Sequence, residues 1–197
     1  MDPIVWNANR LIAALWVIWI VVWTGAAFFV KRTQRREKLG PILLERTPVV
    51  VGFLMLLLPH WKSRGMPPAL LERFMGEGPG LAAVALALVI GGLLVAYWAR
   101  WHLGRNWSGE VMVKKGHSLI TSGPYRWVRH PIYSGMTVAL VGTALASGAP
   151  YGFIGLGLIL FGFLVRVRQE EALMGETFPA DYAVYSARTA RLIPGLY

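Results

Sequence analysis

The sequence predicts an all-α integral membrane protein of about five transmembrane helices, with a C-terminal cofactor-binding region on one membrane face. Three observations lead there. Charged residues make up only 15% of the chain, against roughly 25% in a soluble globular protein. Mean hydropathy is +0.49, and the apolar residues come in runs long enough to cross a bilayer. The basic residues, which give a formal net charge of +10, fall between those runs and read as topology signals. On a soluble chain the same charge would suggest nucleic acid. The chain has no Cys, which excludes disulfides, a thiolate nucleophile and a cysteine metal site.

Residues 11–30 form an uninterrupted run of twenty uncharged residues between Arg10 and Lys31. At 1.5 Å per residue the run covers about 30 Å, the thickness of a bilayer core. Trp6, Trp16, Trp19 and Trp23 supply aromatic anchors. The run is too long for a signal peptide, and no small-residue cleavage site precedes the basic cluster. Residues 31–46 are a polar connector with a basic excess, which marks it as cytoplasmic and puts the N-terminus on the other side. Residues 47–61 are apolar but short and bracketed by Pro48 and Pro59. They read as a second span extended by its flanks, with a re-entrant segment as the alternative. An irregular Pro- and Gly-rich loop follows over residues 62–80, with one amphipathic turn at residues 70–75.

Residues 80–99 form a third span, in which Gly91 and Gly92 permit close helix contact. Residues 1–99 therefore divide from a second region, residues 100–197. That region opens with a basic stretch to His130, cytoplasmic by the same charge rule. Residues 131–165 hold two apolar runs around Ser147, Gly148, Ala149 and Pro150, which reads as a helical hairpin whose two ends return to the cytoplasm. Pro131 suits the first turn of a helix, where its missing N–H costs nothing. Residues 166–197 continue the last helix to a break at Gly175. Phe178 and Pro179 break the chain again, and Tyr182 and Tyr185 share a face of a short terminal helix.

Two polar pieces, residues 114–133 and 166–191, are thus joined by the hairpin and brought together at one surface. Arg166 and Glu170, four apart, share a helix face. On spacing alone they make an ordinary surface pair worth about 0.3–0.5 kcal/mol. Glu171 points elsewhere on the helix. His130 reads equally as a site residue or an interfacial histidine at a helix start, and His117 is open in the same way. Tyr125 and Tyr133 read as interface anchors. His60, His102, His117 and His130 have no metal-ligand spacing. No glycine-rich loop follows a strand and no serine lies in a nucleophile elbow, so neither a dinucleotide fold, a P-loop nor a serine hydrolase is indicated.

In order, GHSLITSGPYRWVRHPIYSG, then RVRQEEALM after the hairpin, then FPADYAVYSARTARLIPGLY resemble the isoprenylcysteine carboxyl methyltransferases. Membrane phospholipid N-methyltransferases share the RHPxYxG and paired-glutamate elements. The resemblance runs from Trp101 to the C-terminus; the N-terminal half carries no matching motif. It implies S-adenosylmethionine as methyl donor, bound beside the membrane and not on a Rossmann sheet. By position, it implies that His117, Ser118, Leu119, Ile120, Tyr125, His130, Pro131, Ile132 and Tyr133 contact the cofactor. It implies Glu170 as the carboxylate that holds the cofactor and Arg166 as the catalytic residue that orients the acceptor. The expected partner is a lipophilic acceptor arriving from the bilayer, either a prenylcysteine-like or other lipophilic acid, or a phospholipid amine. An NADPH-dependent sterol-type reductase and a non-catalytic scaffold on anionic lipid are the competing readings.

Overall fold

The computed structural model describes residues 2–28, 39–57, 67–104 and 119–195. Within them the chain is helical: α1 (Pro3–Phe28), α2 (Leu39–Leu57), a single turn α3 (Pro68–Leu71), α4 (Pro79–Leu103), α5 (Pro131–Ser147), α6 (Pro150–Thr177) and α7 (Pro179–Arg188). A 3-10 turn at Gly123–Arg126 precedes α5. The protein is an integral membrane protein: α1, α4 and α6 are long and apolar enough to cross a bilayer, and α5 is a shorter apolar helix.

Every helix except α2 begins on a proline. Proline fits the first helical position because its φ is already helical and the missing N–H would have had no partner there. Asp2 caps α1 further, its Oδ1 accepting the Ile4 N–H at 2.7 Å. That cap explains why α1 starts eight residues before the apolar run. Glycines in the left-handed region close α4 at Gly104 (φ +52°) and α5 at Gly148 (φ +58°).

The second helix departs from expectation. It starts at Leu39, takes in Glu45 and Arg46 from the expected connector, and runs through Pro48. An interior proline costs about 3 kcal/mol, so packing must outweigh local propensity here. The packing partner is α6. A Cβ on Gly52 would lie 2.5 Å from the Gly155 carbonyl oxygen, and one on Gly162 would lie 2.7 Å from that of Glu45. Only glycine lets the two backbones approach so closely. Gly175 also fails to end its helix, since α6 continues to Thr177; glycine weakens a helix by only about 1 kcal/mol. The expected amphipathic turn at residues 70–75 is reduced to α3, and chain beyond it is extended.

A second backbone crossing joins α4 to α5, where a Cβ on Gly92 would lie 2.5 Å from the Ala139 nitrogen. Gly91, by contrast, faces open space. Between the two pairs lies a core of Trp16, Leu56, Val89, Leu93, Met136, Leu140, Ile159 and Phe163. The buried Trp16 indole of α1 donates to Thr143 Oγ1 of α5 at 2.9 Å, so its polar atom is satisfied inside the apolar layer.

Helix directions alternate consistently. Val5 and Ala8 of α1 cluster with Ala82 near the start of α4. Arg73, after α3, reaches the carbonyls of Ala146 (2.8 Å) and Ser147 (2.7 Å) at the α5–α6 turn. The starts of α1, α4 and α6 and the segment after α3 therefore share one end of the bundle. The starts of α2 and α5 and the polar end of α6 share the other.

Candidate active site

At that second end, the chain from Gly123 to His130 leads into α5 while the last turns of α6 return beside it. The final segment straps the two together. Val128 and Ala190 form a parallel bridge. The N–H groups of Arg129 and His130 donate to the carbonyls of Ala190 (2.8 Å) and Arg191 (3.1 Å), and Ser134 Oγ donates to that of Leu192 at 2.5 Å. Tyr185 of α7 donates to the Tyr125 carbonyl at 2.7 Å. Backbone donors ahead of a helix have no partner within it, and here the strap supplies one.

Glu170 and Glu171 are the two hubs. One Glu170 oxygen, Oε1, accepts from Arg166 Nε at 2.8 Å and from the Tyr133 hydroxyl at 2.9 Å. The other, Oε2, lies 3.5 Å from His130 Nδ1. Arg166 is buried, and its NH1 also donates to Glu45 Oε1 of α2 at 2.9 Å. Glu171 accepts from Arg129 Nε at 2.8 Å and lies 2.7 Å from Arg191 NH2. Arg129 NH1 in turn donates to the carbonyls of Ser186 and Thr189. His130 Nε2 is 3.4 Å from Glu171 Oε1.

His130 thus lies between both carboxylates. Burial lowers its tendency to hold a proton, but hydrogen bonding and charge from Glu170 and Glu171 outweigh this and raise its pKa above the ordinary 6.5. Burial, with the Glu171 charge adding to it, pushes the Tyr182 phenol of α7 up to about 12.

The structure brings together Tyr133, His130, Glu170 and Arg166 from among the expected site residues. Pro131 is buried at the first turn of α5, Ile132 packs against the core, and the 5.0 Å contact of Tyr133 with Phe163 joins α5 to α6. The Tyr125 ring is buried with its hydroxyl 3.4 Å from the Ala99 carbonyl. Leu119 and Ile120 are half-buried on the approach to the 3-10 turn. His117 and Ser118 lie outside the described residues.

Four participants were not among the expected site residues. Arg129, Glu171 and Arg191 form the second hub. Glu171 does point away from Arg166, but it does not leave the cluster, because His130 spans the two neighbouring carboxylates. Glu45 comes from the N-terminal half, where no motif was visible. Its signal was an acid followed by an apolar run; ionisable residues at membrane depth have functional or pairing roles by default.

The cluster suits a small cationic ligand that also carries a carboxylate. Glu170 and Glu171 offer negative charge, and Arg129 and Arg191 offer positive charge beside it. His130 Nε2 and the Tyr182 hydroxyl are buried beside Glu171 without a well-directed hydrogen bond among the described residues, so a ligand group reaching them would find polar partners.

Comparison with known proteins adds the following. Residues 84–176 match the model of the isoprenylcysteine carboxyl methyltransferase family. A probable protein-S-isoprenylcysteine O-methyltransferase of Oryza sativa subsp. indica is 27% identical over 192 residues, covering 95% of this chain and 98% of the relative. The protein-S-isoprenylcysteine O-methyltransferase of Xenopus laevis is 29% identical over 117 residues, 58% of this chain and 41% of that one. Among solved structures, the eukaryotic intramembrane Ras methyltransferase, an isoprenylcysteine carboxyl methyltransferase, aligns with a TM-score of 0.53 at 20% identity. That alignment covers 81% of this chain and 55% of the other, so this chain spans about half the length of the solved one, and the likeness is one of fold.

Proposed function

We propose that this chain, which is similar to the isoprenylcysteine carboxyl methyltransferases, transfers a methyl group from S-adenosylmethionine to a lipophilic carboxylate at the membrane interface, with an acceptor of the prenylcysteine type. The observation that carries this reading is the buried Arg166, fixed by Glu170, with Glu170 itself tied to His130 and Tyr133. One cation and a set of cation-binding carboxylates stand side by side, as an anionic acceptor and a cationic donor require.

When bound, the donor supplies a methyl group already activated by its sulfonium. The chain's own residues therefore have little to do beyond binding and alignment. An acceptor carboxylate is ionised near neutral pH, so no general base is needed. Arg166 aims that carboxylate. Glu170 and Glu171 would hold positive charge of the donor, Arg129 and Arg191 would hold its carboxylate, and Tyr133 and Tyr182 would offer hydroxyls. The roles expected for His117, Ser118, Leu119, Ile120, Tyr125, Pro131 and Ile132 as donor contacts belong to the same proposal. Since charge is neutralised during transfer, a site poor in water favours it.

The site belongs on the cytoplasmic side. Arg100, Arg126 and Arg129 flank it, and positive residues are retained there. Similarity to the isoprenylcysteine carboxyl methyltransferases favours methyl transfer over the reductase and scaffold readings, and the direct Arg166–Glu170 contact favours a carboxylate over an amine, which would need a free base to remove its proton.

The test is incubation of the purified protein with radiolabelled methyl donor and a prenylcysteine acid or total membrane lipid. Label released as methanol by alkali is expected and identifies an ester. Base-stable label would point to an amine acceptor, and the absence of both transfer and donor binding in well-folded protein would overturn the reading.

A further inference from the structure

Glu45 sits on α2, far in sequence from every motif, yet it touches the centre of the cluster. Its side chain is buried, and its Oε1 lies 2.9 Å from Arg166 NH1 while Glu170 holds Arg166 Nε at 2.8 Å. The approach is built into the helix crossing. Gly162, one turn before Arg166, faces the Glu45 carbonyl and Val49, and any side chain there would push α2 away. Arg166 is therefore gripped by carboxylates from two helices, at two different nitrogens.

We propose that Glu45 is a positioning residue for the acceptor-orienting Arg166, and that it also tempers the charge which Arg166 presents to an anionic acceptor. The inference rests on the methyl-transfer reading. Its first half is geometric. A long arginine side chain held at one nitrogen can still pivot, whereas one held at Nε and NH1 by groups on separate helices cannot. Its second half is electrostatic. The acceptor carboxylate loses its charge as its oxygen forms the new bond to carbon, the C–S bond breaks, and the bonding pair stays on sulfur. An uncompensated guanidinium would stabilise the ionised ground state more than the neutralising transition state, which tightens binding and slows turnover. Two carboxylates on Arg166 relieve that excess.

Removing the charge of Glu45 while keeping its shape should therefore lower KM and kcat together. Removing the side chain should mainly lower kcat by loosening Arg166. The assay uses the full chain in detergent micelles with N-acetyl-S-farnesylcysteine and labelled S-adenosylmethionine, and donor affinity is measured by calorimetry on the same preparations. Glu45→Gln is expected to lower kcat about 10-fold and KM about 3- to 10-fold. Glu45→Ala is expected to lower kcat about 100-fold, the usual cost of a misplaced positioning group, and Glu45→Asp to restore the parent KM. Donor affinity should stay within about threefold throughout, since the Glu45 carboxylate bonds the acceptor-orienting Arg166 and not the His130, Glu171, Arg129 or Arg191 groups proposed to hold the donor. Unchanged kcat and KM in Glu45→Gln, or a raised KM, would overturn the proposal. So would loss of donor binding together with turnover, which would make Glu45 a structural prop for the whole site. If the parent protein binds donor but methylates no acceptor, the methyl-transfer reading itself fails and this inference falls with it.

Discussion

Replacing Glu171 with glutamine tests the second carboxylate hub. The substitution keeps size and hydrogen-bonding shape and removes only the charge. Glu171 meets Arg129 at 2.8 Å and Arg191 at 2.7 Å, one partner on the approach to α5 and the other on the C-terminal strap. Hydrogen bonds to charged groups contribute about 1.5–3 kcal/mol each. Arg129 keeps its bonds to the Ser186 and Thr189 carbonyls, and the Arg191 side chain is 24% exposed, so solvent screening discounts its share. The net loss should be about 2–4 kcal/mol, with Glu171→Asp falling between. Denaturant unfolding in detergent reads the total. Hydrogen exchange reads the location, because the Arg129 and His130 amides are bonded to strap carbonyls and should exchange faster as the strap lifts. A loss under about 0.5 kcal/mol, the value of an exposed pair, with unchanged exchange at these two amides, would refute the view that Glu171 fastens the strap.

The glycine crossing makes a paired prediction: Gly92→Ala should destabilise by about 1–3 kcal/mol because its Cβ would lie 2.5 Å from the Ala139 nitrogen, while Gly91→Ala next to it, facing open space, should be close to neutral in the same melts. For His130, the folded pKa is raised above 6.5, so its charge contributes fully below that value and the contribution is lost as pH rises through the folded pKa. The stability advantage of the parent over His130→Gln should shrink with rising pH in melts from pH 6 to about 9; an advantage that grows would contradict the protonated bridge. At the other end of the bundle, Arg73→Ala removes two bonds to the Ala146 and Ser147 carbonyls and should cost about 1–3 kcal/mol, with Arg73→Lys recovering part of it.

Much of this was legible in the sequence, and the parts that were not have identifiable causes. The runs of α1, α4, α5 and α6 declare themselves by length and by the charges or turn residues that bound them. The convergence of RHPIY with RVRQEE follows from the hairpin, whose ends must meet. The extent of α2 is not legible at Pro48, because a local rule about proline cannot register a glycine-lined groove on α6 more than a hundred residues away. For the same reason Glu45 reads as part of a connector in the sequence, although it lies inside α2. Glu171 looks remote from the site in the sequence because adjacent helix positions face different ways. They do, but His130 carries two ring nitrogens on opposite sides and reaches both directions at once. The strap is hard to see for a different reason: most of its bonds end on backbone carbonyls, as at Ser186, Thr189, Ala190, Arg191 and Leu192, and backbone groups leave no trace in side-chain pattern.

The two glycine-lined crossings have a mechanical consequence. Where α2 meets α6 and α4 meets α5, backbone rests on backbone, and such contacts scarcely compress. Helices α5 and α6 instead meet through side chains such as Tyr133 and Phe163, which can slide by changing rotamer. The molecule is therefore two stiff pairs with a compliant joint. Arg166 and Glu45 ride on one pair, His130 and Tyr133 on the other, and the Glu170 and Glu171 carboxylates of α6 link across the joint to Tyr133, His130 and Arg129. A change in bilayer thickness that tilts one pair against the other would be absorbed at the joint, and so would be felt first at the Glu170 and Glu171 carboxylates.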